Sequence, residues 1–480
     1  MGTFETRFAR HHLIGLGFWQ AWQMVVLCTD AVVTSQANQA GLTLAIVLAT
    51  TLGYIVIMAL SQRTPVALKG RAAIPVAAAS MSVGTFILMM APSLIDPSLS
   101  FAALAVALAA VSYGNAALLF MWGELWSTLA TGRVGRHLYL SYAFAFIPFF
   151  VAYFLPYPAG GIFSCLFPLA SCAILASCGT DEPRRRQSNT PFKPERALIA
   201  KAVCFIVVLS VIWGVTQSLV PELFAAGQAT EFVAMGMVVA GVAIGALALN
   251  LTMVSPESET IALYRPIIPS MAAGLAALFV FPDSWSFIGN GLLTMGIYCL
   301  DMFMMLTSTD IAFRARISTP IAFGVAVVSS RIGTFLGSFA AYALIASPSN
   351  ILLHHEAVFP AVVVCLTALV FAGMIIFTQA DLQKLYESPY SAEASNPAAQ
   401  DEPSMAQRCR FVAESAGLTA RETEVLELLV RGRTVQGLCE ELSIAQGTAK
   451  HHVSNIYRKL GVGDRRSVFD IVERATPVDE

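Results

Sequence analysis

Twelve apolar runs, each near the length that crosses a bilayer, fill the first 380 or so residues of this 480-residue chain. A spanning helix needs about 20 mostly apolar residues. The runs are 13–34, 41–61, 73–92, 99–123, 137–156, 158–178, 198–220, 232–254, 264–281, 286–308, 317–346 and 357–378. Within hydrocarbon an unpaired backbone group is too costly to tolerate, so only helices and closed barrels cross. Continuous runs of this length predict helices, and the expected fold is all-α. Only 12% of the residues are charged, against about 25% in a soluble chain.

The distribution of Lys and Arg tests the twelve-span map. Basic residues collect on the cytoplasmic side of a membrane. With the N-terminus inside, the inner segments hold Arg7 and Arg10; Arg63, Lys69 and Arg71; Arg133 and Arg136; Arg184, Arg185, Arg186, Lys193, Arg196 and Lys201; Arg265; Arg314 and Arg316; and Lys384. These are 17 of the 29 basic residues, and 11 more lie from Arg408 onward. The remaining one, Arg331, falls inside the eleventh run, and the outer loops carry none. Both termini are therefore expected in the cytoplasm, across a bacterial cytoplasmic membrane.

The longest basic loop, "GTDEPRRRQSNTPFKPER", falls between runs six and seven and divides them six and six. The fourth run ends at Glu124 ahead of Arg133 and Arg136, and the tenth ends near Asp310 ahead of Arg314 and Arg316. Two six-span halves, 1–180 and 198–380, joined by the loop 179–197, resemble the major facilitator superfamily, which is built from such repeats. That family's loop between spans two and three reads G-x-x-x-D-R-x-G-R-R. Here "SQRTPVALKGRA" keeps Lys-Gly-Arg and lacks the aspartate, a departure that counts against transport.

After Phe377 the hydropathy collapses. Residues 381–411, rich in Pro, Ser, Ala and acids, read as a flexible linker, and 412–480 as a second domain. In the latter, Thr419 followed by Glu422 forms a capping box, and Val425, Leu426, Leu429 and Val430 make an apolar stripe. Thr434 is placed to cap a second helix carrying Leu438, Cys439 and Leu442. A third begins near Gln446 and turns Ala449, Val453, Ile456 and Leu460 inward; a fourth runs from about 466 to 474. Two helices with a tight turn, the second basic on its outer face, make a helix-turn-helix.

The stretches "LTARETEVLELL", the glycine of "RGR", "LSI" and "TAKHHVSNIYRKLGV", over 418–473, resemble the LuxR-type (FixJ/NarL-type) DNA-binding domain. The resemblance implies that Lys450, His451 and Ser454 meet base edges in the major groove. It sets Thr434, Thr448, Asn455, Arg458 and Lys459 among the remaining DNA contacts, mostly near phosphates. The implied partner is double-stranded DNA, read by a homodimer. Ala445 stands where the family has a capping serine, Ala449 where it has valine, and Gly437 where it has glutamate.

Ionisable residues inside a span are costly and mark function. Asp30, Asp301 and Arg331 are the clearest, with Glu124 near an edge. At 1.5 Å per residue, Asp30 lies roughly 25 Å from the inner face, Arg331 roughly 21 Å and Asp301 roughly 10 Å. Asp30 is thus the better-matched partner for Arg331. Trp19 and Trp22 are candidates to line a ligand pocket, whereas Trp126 and Trp122 read as an interfacial belt.

The nine cysteines form no CxxC pair, and His354, His355 and Glu356 are too few for a metal site. No nucleophile with a base partner and no phosphate loop are present, so no enzyme, metal or cofactor is expected. The expectation is a membrane-embedded one-component transcriptional regulator, its membrane half responding to a small molecule or to the bilayer. The rival is a transporter carrying a regulatory DNA-binding tail.

Overall fold

A computed structural model describes residues 14–29, 31–32, 39–63, 73–91, 97–127, 131–178, 195–219, 228–253, 264–281, 285–345, 358–386, 405–430, 438–439, 442, 444–462, 468 and 471–472. No strand occurs among them. The chain divides into a membrane unit, Met1–Tyr386, and a tail unit, Glu387–Glu480.

The membrane unit is built from α1 (Leu16–Cys28), α2 (Gln39–Arg63), α3 (Ala73–Met90), α4 (Pro97–Ser127), α5 (Thr131–Phe154), α6 (Ala159–Ser164), α7 (Phe167–Ser177), α8 (Arg196–Leu219), α9 (Gln228–Met253), α10 (Ile267–Val280), α11 (Phe287–Ala315), α12 (Thr319–Ile345), α13 (Val358–Phe371) with a π turn Ala372–Ile376, and α14 (Gln379–Tyr386). Among the described residues nine segments are long and apolar enough to cross a membrane. Shorter apolar helices, Leu16–Cys28, Ile267–Leu278 and Pro360–Ile376, occupy the three remaining apolar runs. A total of twelve spans thus depends on counting these three.

Each helix turns one face to lipid and one to its neighbours. On α2, Leu48, Leu52, Val56 and Leu60 are exposed at a spacing of four, while Ile46, Tyr54 and Ile57 are buried. That period is one face of an α-helix. The helix pairs repeat between halves: α1 packs on α5 as α8 packs on α12, α3 on α4 as α10 on α11, and α2 on α4 as α9 on α11. Across the halves, α2 meets α12 and α9 meets α5. The most enclosed spans are α4 and α11, which correspond between the halves.

Lipid offers little hydrophobic drive between helices, so close backbone approach and polar pairs hold them. The α8–α12 seam shows both. A Cβ on Gly214 would strike the Thr334 carbonyl oxygen, and one on Gly337 the Val211 carbonyl. Ser210 and Ser330 hydroxyls lie 3.0 Å apart in the same seam.

Trp122 and Trp126 are fully buried, which corrects the interfacial assignment. The Trp122 indole donates to Ser171 Oγ on α7 at 3.0 Å, and the two rings sit 5.8 Å apart. The Trp122 indole ties α4 to the sixth span.

The tail unit holds α15 (Met405–Ser415), α16 (Ala420–Val430) and α17 (Gln446–Leu460). Its own core joins Cys409, Val412, Val425, Leu426, Leu429, Leu438, Ala449, Ile456, Val468 and Val472. Both ends of the stretch read as linker are helical: Gln379–Tyr386 at one end and Met405–Ser415 at the other.

Candidate functional site

In the tail, α16 opens on the expected capping box. The Thr419 N–H donates to Glu422 Oε2 at 2.8 Å, and the Glu422 N–H donates back to Thr419 Oγ1 at 3.3 Å. Glu422 is buried, and its oxygen also receives Lys459 Nζ at 2.7 Å. Lys459 donates as well to the Gly417 carbonyl at 2.9 Å. The Lys459 ammonium beside it, with the Thr419 N–H, holds the Glu422 carboxyl down at about 2. Arg421 extends from the same helix to the Leu442 carbonyl at 2.8 Å. One buried carboxylate and one guanidinium thus fasten α16 to α17 and to the segment between them.

The face of α17 follows from its period. Ala449 and Ile456 are buried, while Thr448, Lys450, His451, Ser454, Arg458 and Lys459 are exposed and Asn455 half-buried. Asn455 Nδ2 lies 3.2 Å from His451 Nε2, and Arg458 donates to Asn455 Oδ1 at 3.2 Å. The N-cap Ala445 makes no side-chain cap bond. At the other end Gly461 adopts φ 67°, and its N–H and that of Val462 bond to the Arg458 and Tyr457 carbonyls at 3.3 and 2.9 Å. That pattern closes a helix on a left-handed glycine. The result is a short basic helix with one face anchored and the other open to a groove.

In the membrane unit, a chain of polar groups starts on α1. The Gln23 amide donates to Asn115 Oδ1 at 3.0 Å, and Asn115 Nδ2 donates to the Tyr54 hydroxyl at 3.1 Å. The Trp19 indole reaches the Asn115 carbonyl at 3.3 Å. Tyr54 interacts electrostatically with Arg331 and Asp301, and Asp301 with Arg331. Tyr142 and Tyr298, with ring centroids 5.8 Å apart, interact electrostatically with the same two charges. Arg331 and Asp301 each keep part of their surface accessible, although both belong to spanning helices. Gln23, Asn115 and Tyr54 come from the first half, Asp301 and Arg331 from the second, so the cluster bridges the halves.

Comparison with known proteins separates the two units. Residues 416–472 match the family model described as "Bacterial regulatory proteins, luxR family". The tail carries a LuxR-type helix-turn-helix domain. It is 48% identical over 48 residues to the spore germination protein GerE of Bacillus subtilis, covering 10% of this chain and 65% of that protein. It is 44% identical over 52 residues to the transcriptional regulatory protein DesR and 50% over 52 to LnrK, both of Bacillus subtilis; each match covers 11% of this chain, and 26% and 24% of those proteins. The chain therefore spans less than two thirds of these relatives. By structure, it is similar to the human organic anion transporter MFSD10 (TETRAN), with TM-score 0.54 and 12% identity, over 78% of this chain and 99% of that one. It is also similar to a bacterial homologue of the iron transporter ferroportin in an outward-facing state, with TM-score 0.50 and 13% identity, over 80% and 99%. At such identities the likeness is one of fold: the membrane unit has a major-facilitator-like architecture.

Of the DNA-contact residues expected from the sequence, Thr448, Lys450, His451, Ser454, Asn455 and Arg458 share the open side of α17. The Lys459 ammonium is turned back onto Glu422. Thr434 lies outside the described residues. In the membrane unit, Trp19 joins the polar cluster, while the Trp22 indole donates to Thr85 Oγ1 on α3 at 2.9 Å. Glu124 is half-buried near the C-terminal end of α4, beyond that cluster's Asn115. Asp30, expected to pair with Arg331, lies outside the described residues; Asp301 interacts electrostatically with Arg331.

Counted from residue 308, the end of the tenth apolar run, Asp301 lies roughly 10 Å from the inner face. The helix α11 runs on to Ala315, which sets Asp301 about 21 Å from its inner end. Arg331, counted from Thr319, lies about 18 Å up α12, at nearly the same level. Tyr54 and Gln23 carry no signal in the sequence, since uncharged polar residues in apolar runs are common. Among the described residues, no group of His, Cys, Asp and Glu side chains is placed to hold a metal ion.

Proposed function

We propose that this chain is a one-component transcriptional regulator of a bacterial cytoplasmic membrane, with both termini in the cytoplasm. The membrane unit binds a small polar molecule, or responds to the state of the bilayer, and thereby controls DNA binding by the tail. The observation that carries the proposal is the open basic face of α17 in the same chain as a polytopic membrane fold. Cations near phosphate oxygens supply affinity, and short polar side chains on the groove face supply reading. A homodimer reads paired half-sites, since a domain of this size has a small interface and two-fold operators mirror two-fold proteins.

The sensing site is the cluster around Arg331, Asp301, Tyr54 and Asn115. It offers one partner for an anionic group, one for a cationic group, a hydroxyl in electrostatic reach of both, and an amide bonded to that hydroxyl. Because it spans both halves, a ligand there acts on their relative position, and a ligand shifts an equilibrium only through contacts that differ between states.

The test begins with the purified full chain in lipid nanodiscs. It should enrich one double-stranded sequence from a random pool, with affinity falling steeply as salt rises. Absence of any enriched sequence sinks the proposal. A reporter fused after Glu480 should be active only in its cytoplasmic form.

The second reading, a transporter with a regulatory DNA-binding tail, is favoured by the fold shared with MFSD10 and the ferroportin homologue. A compound found by its thermal stabilisation of the full chain separates the two. The sensor binds it without accumulating it in sealed vesicles; the transporter accumulates it.

A further inference from the structure

The short helix α14 follows the last span and is the last described helix of the membrane unit. It is fastened at both ends. At its start, Asp381 Oδ2 accepts the Thr378 N–H at 3.0 Å and the Thr378 hydroxyl at 2.9 Å, while Oδ1 accepts Lys201 Nζ at 2.9 Å. The Thr378 N–H and Lys201 together hold the Asp381 carboxyl down at about 2. At its end, Arg314 donates to the Leu385 carbonyl at 3.0 Å and to its own helix neighbour Asp310 at 3.1 Å. Between these, Leu382 and Leu385 are buried. Just ahead, the Tyr264 hydroxyl donates to the Phe377 carbonyl at 2.8 Å, and the Phe377 ring lies among Phe205, Tyr264 and Phe303.

Lys201 belongs to α8, Arg314 to α11, and Tyr264 stands just ahead of α10. Every one of these partners comes from the second half. A helix needed only to end a span would require neither a carboxylate with both oxygens engaged nor a cation on its last carbonyl. The arrangement complements both ends of the helix dipole, an acid at the start and a guanidinium at the end. It makes α14 move with the cytoplasmic ends of α8 and α11.

We propose that α14 is the coupling element between the membrane unit and the DNA-binding tail: the Lys201–Asp381 and Arg314–Leu385 clamps make the tail's attachment point a rigid part of the second half. This rests on the regulator reading above. Relative motion of the two halves then reaches the tail as a displacement of α14. In a homodimer it sets how two tails are presented to paired half-sites, while leaving each tail's own reading face untouched.

The experiment uses the full chain in nanodiscs and the duplex that the parent chain enriches, in two forms: both half-sites, and one half-site alone. Lys201→Asp breaks the clamp and leaves the Thr378–Asp381 cap in place; Lys201→Arg keeps the ion pair. Lys384→Asp, at an exposed position on the same helix, is the control. Lys201→Asp should bind the paired sites about fivefold or more weakly, with single-site binding and membrane abundance at parental levels. Lys201→Arg should bind them near the parental level, and Lys384→Asp should leave that affinity unchanged. Parental paired-site affinity in Lys201→Asp overturns the proposal, as does a Lys201→Arg variant that loses it. An equal loss on the single half-site also overturns it, because the defect then lies in the tail itself. If the parent enriches no duplex, the regulator reading falls, and the coupling role with it.

Discussion

Two cations on α17 have the same charge and different partners. Arg458 is exposed and bonded to a neighbouring amide, whereas Lys459 closes the Glu422 capping box. The LuxR-type resemblance implies phosphate contacts for both; only the fold reveals that Glu422, 37 residues earlier, claims one of them. Arg458→Ala should weaken binding to all sequences alike and lower the salt slope by about one unit. Lys450→Ala, on the groove face, should cost about 1–3 kcal/mol at one base pair and relax the preference there. Identical specificity profiles for the two variants would refute this division of the face. The buried Glu422 gives a pH signature. Its carboxyl is held at about 2 when folded, against an ordinary value of 4.5. A depressed carboxyl stabilises the fold fully above the ordinary value and loses that contribution as pH falls toward the folded one. The tail fragment 387–480 should therefore lose stability between about pH 4.5 and 2 in denaturant melts, and Glu422→Gln should flatten that stretch of the curve. Equal slopes for parent and variant would show that other carboxylates carry it.

Most elements are legible because period and length declare them. Apolar runs give helices in all twelve places, and α17 starts at Gln446 as its stripe requires. What escapes such a reading are helices without long apolar runs. Met405–Ser415 lies in a polar stretch and is held by Cys409, Val412 and Ala413 against the tail core, a tertiary cause invisible locally. Thr378-x-x-Asp381, by contrast, is a capping signal that the end of the last span displays in its sequence. The extension of α11 to Ala315 also matters, since those extra turns of helix change the level at which Asp301 is placed. The missing cap on α17 supports a prediction at this scale. Ala445 already has the extended backbone of an N-cap, φ −66° and ψ 151°, with no side-chain bond. Ala445→Ser should stabilise the tail by about 1 kcal/mol in urea melts while leaving DNA specificity unchanged. No gain would mean that the first-turn N–H groups are already satisfied by water.

For the whole molecule, a pair of opposite charges within the membrane unit sits where the two halves meet, on side chains drawn from neighbouring spans. The sequence singles out Asp301 and Arg331 as costly residues, and their partnership comes from topology, in which α11 and α12 pack together. Removing one partner of an enclosed pair leaves a charge uncompensated, which is more disruptive than removing both. Arg331→Ala alone should therefore lower the amount of chain recovered in the membrane. Arg331→Ala with Asp301→Asn should restore that amount, because no lone charge remains. Recovery of the fold is separable from recovery of signalling. If Arg331 and Asp301 meet the ligand, the double variant should be present at parental abundance and bind the enriched duplex, yet show no change in DNA occupancy with a compound that shifts the parent. A double variant that responds like the parent would make the pair structural and move the sensing site elsewhere. If Arg331→Ala alone leaves abundance and response unchanged, the intramembrane charge has no part in either.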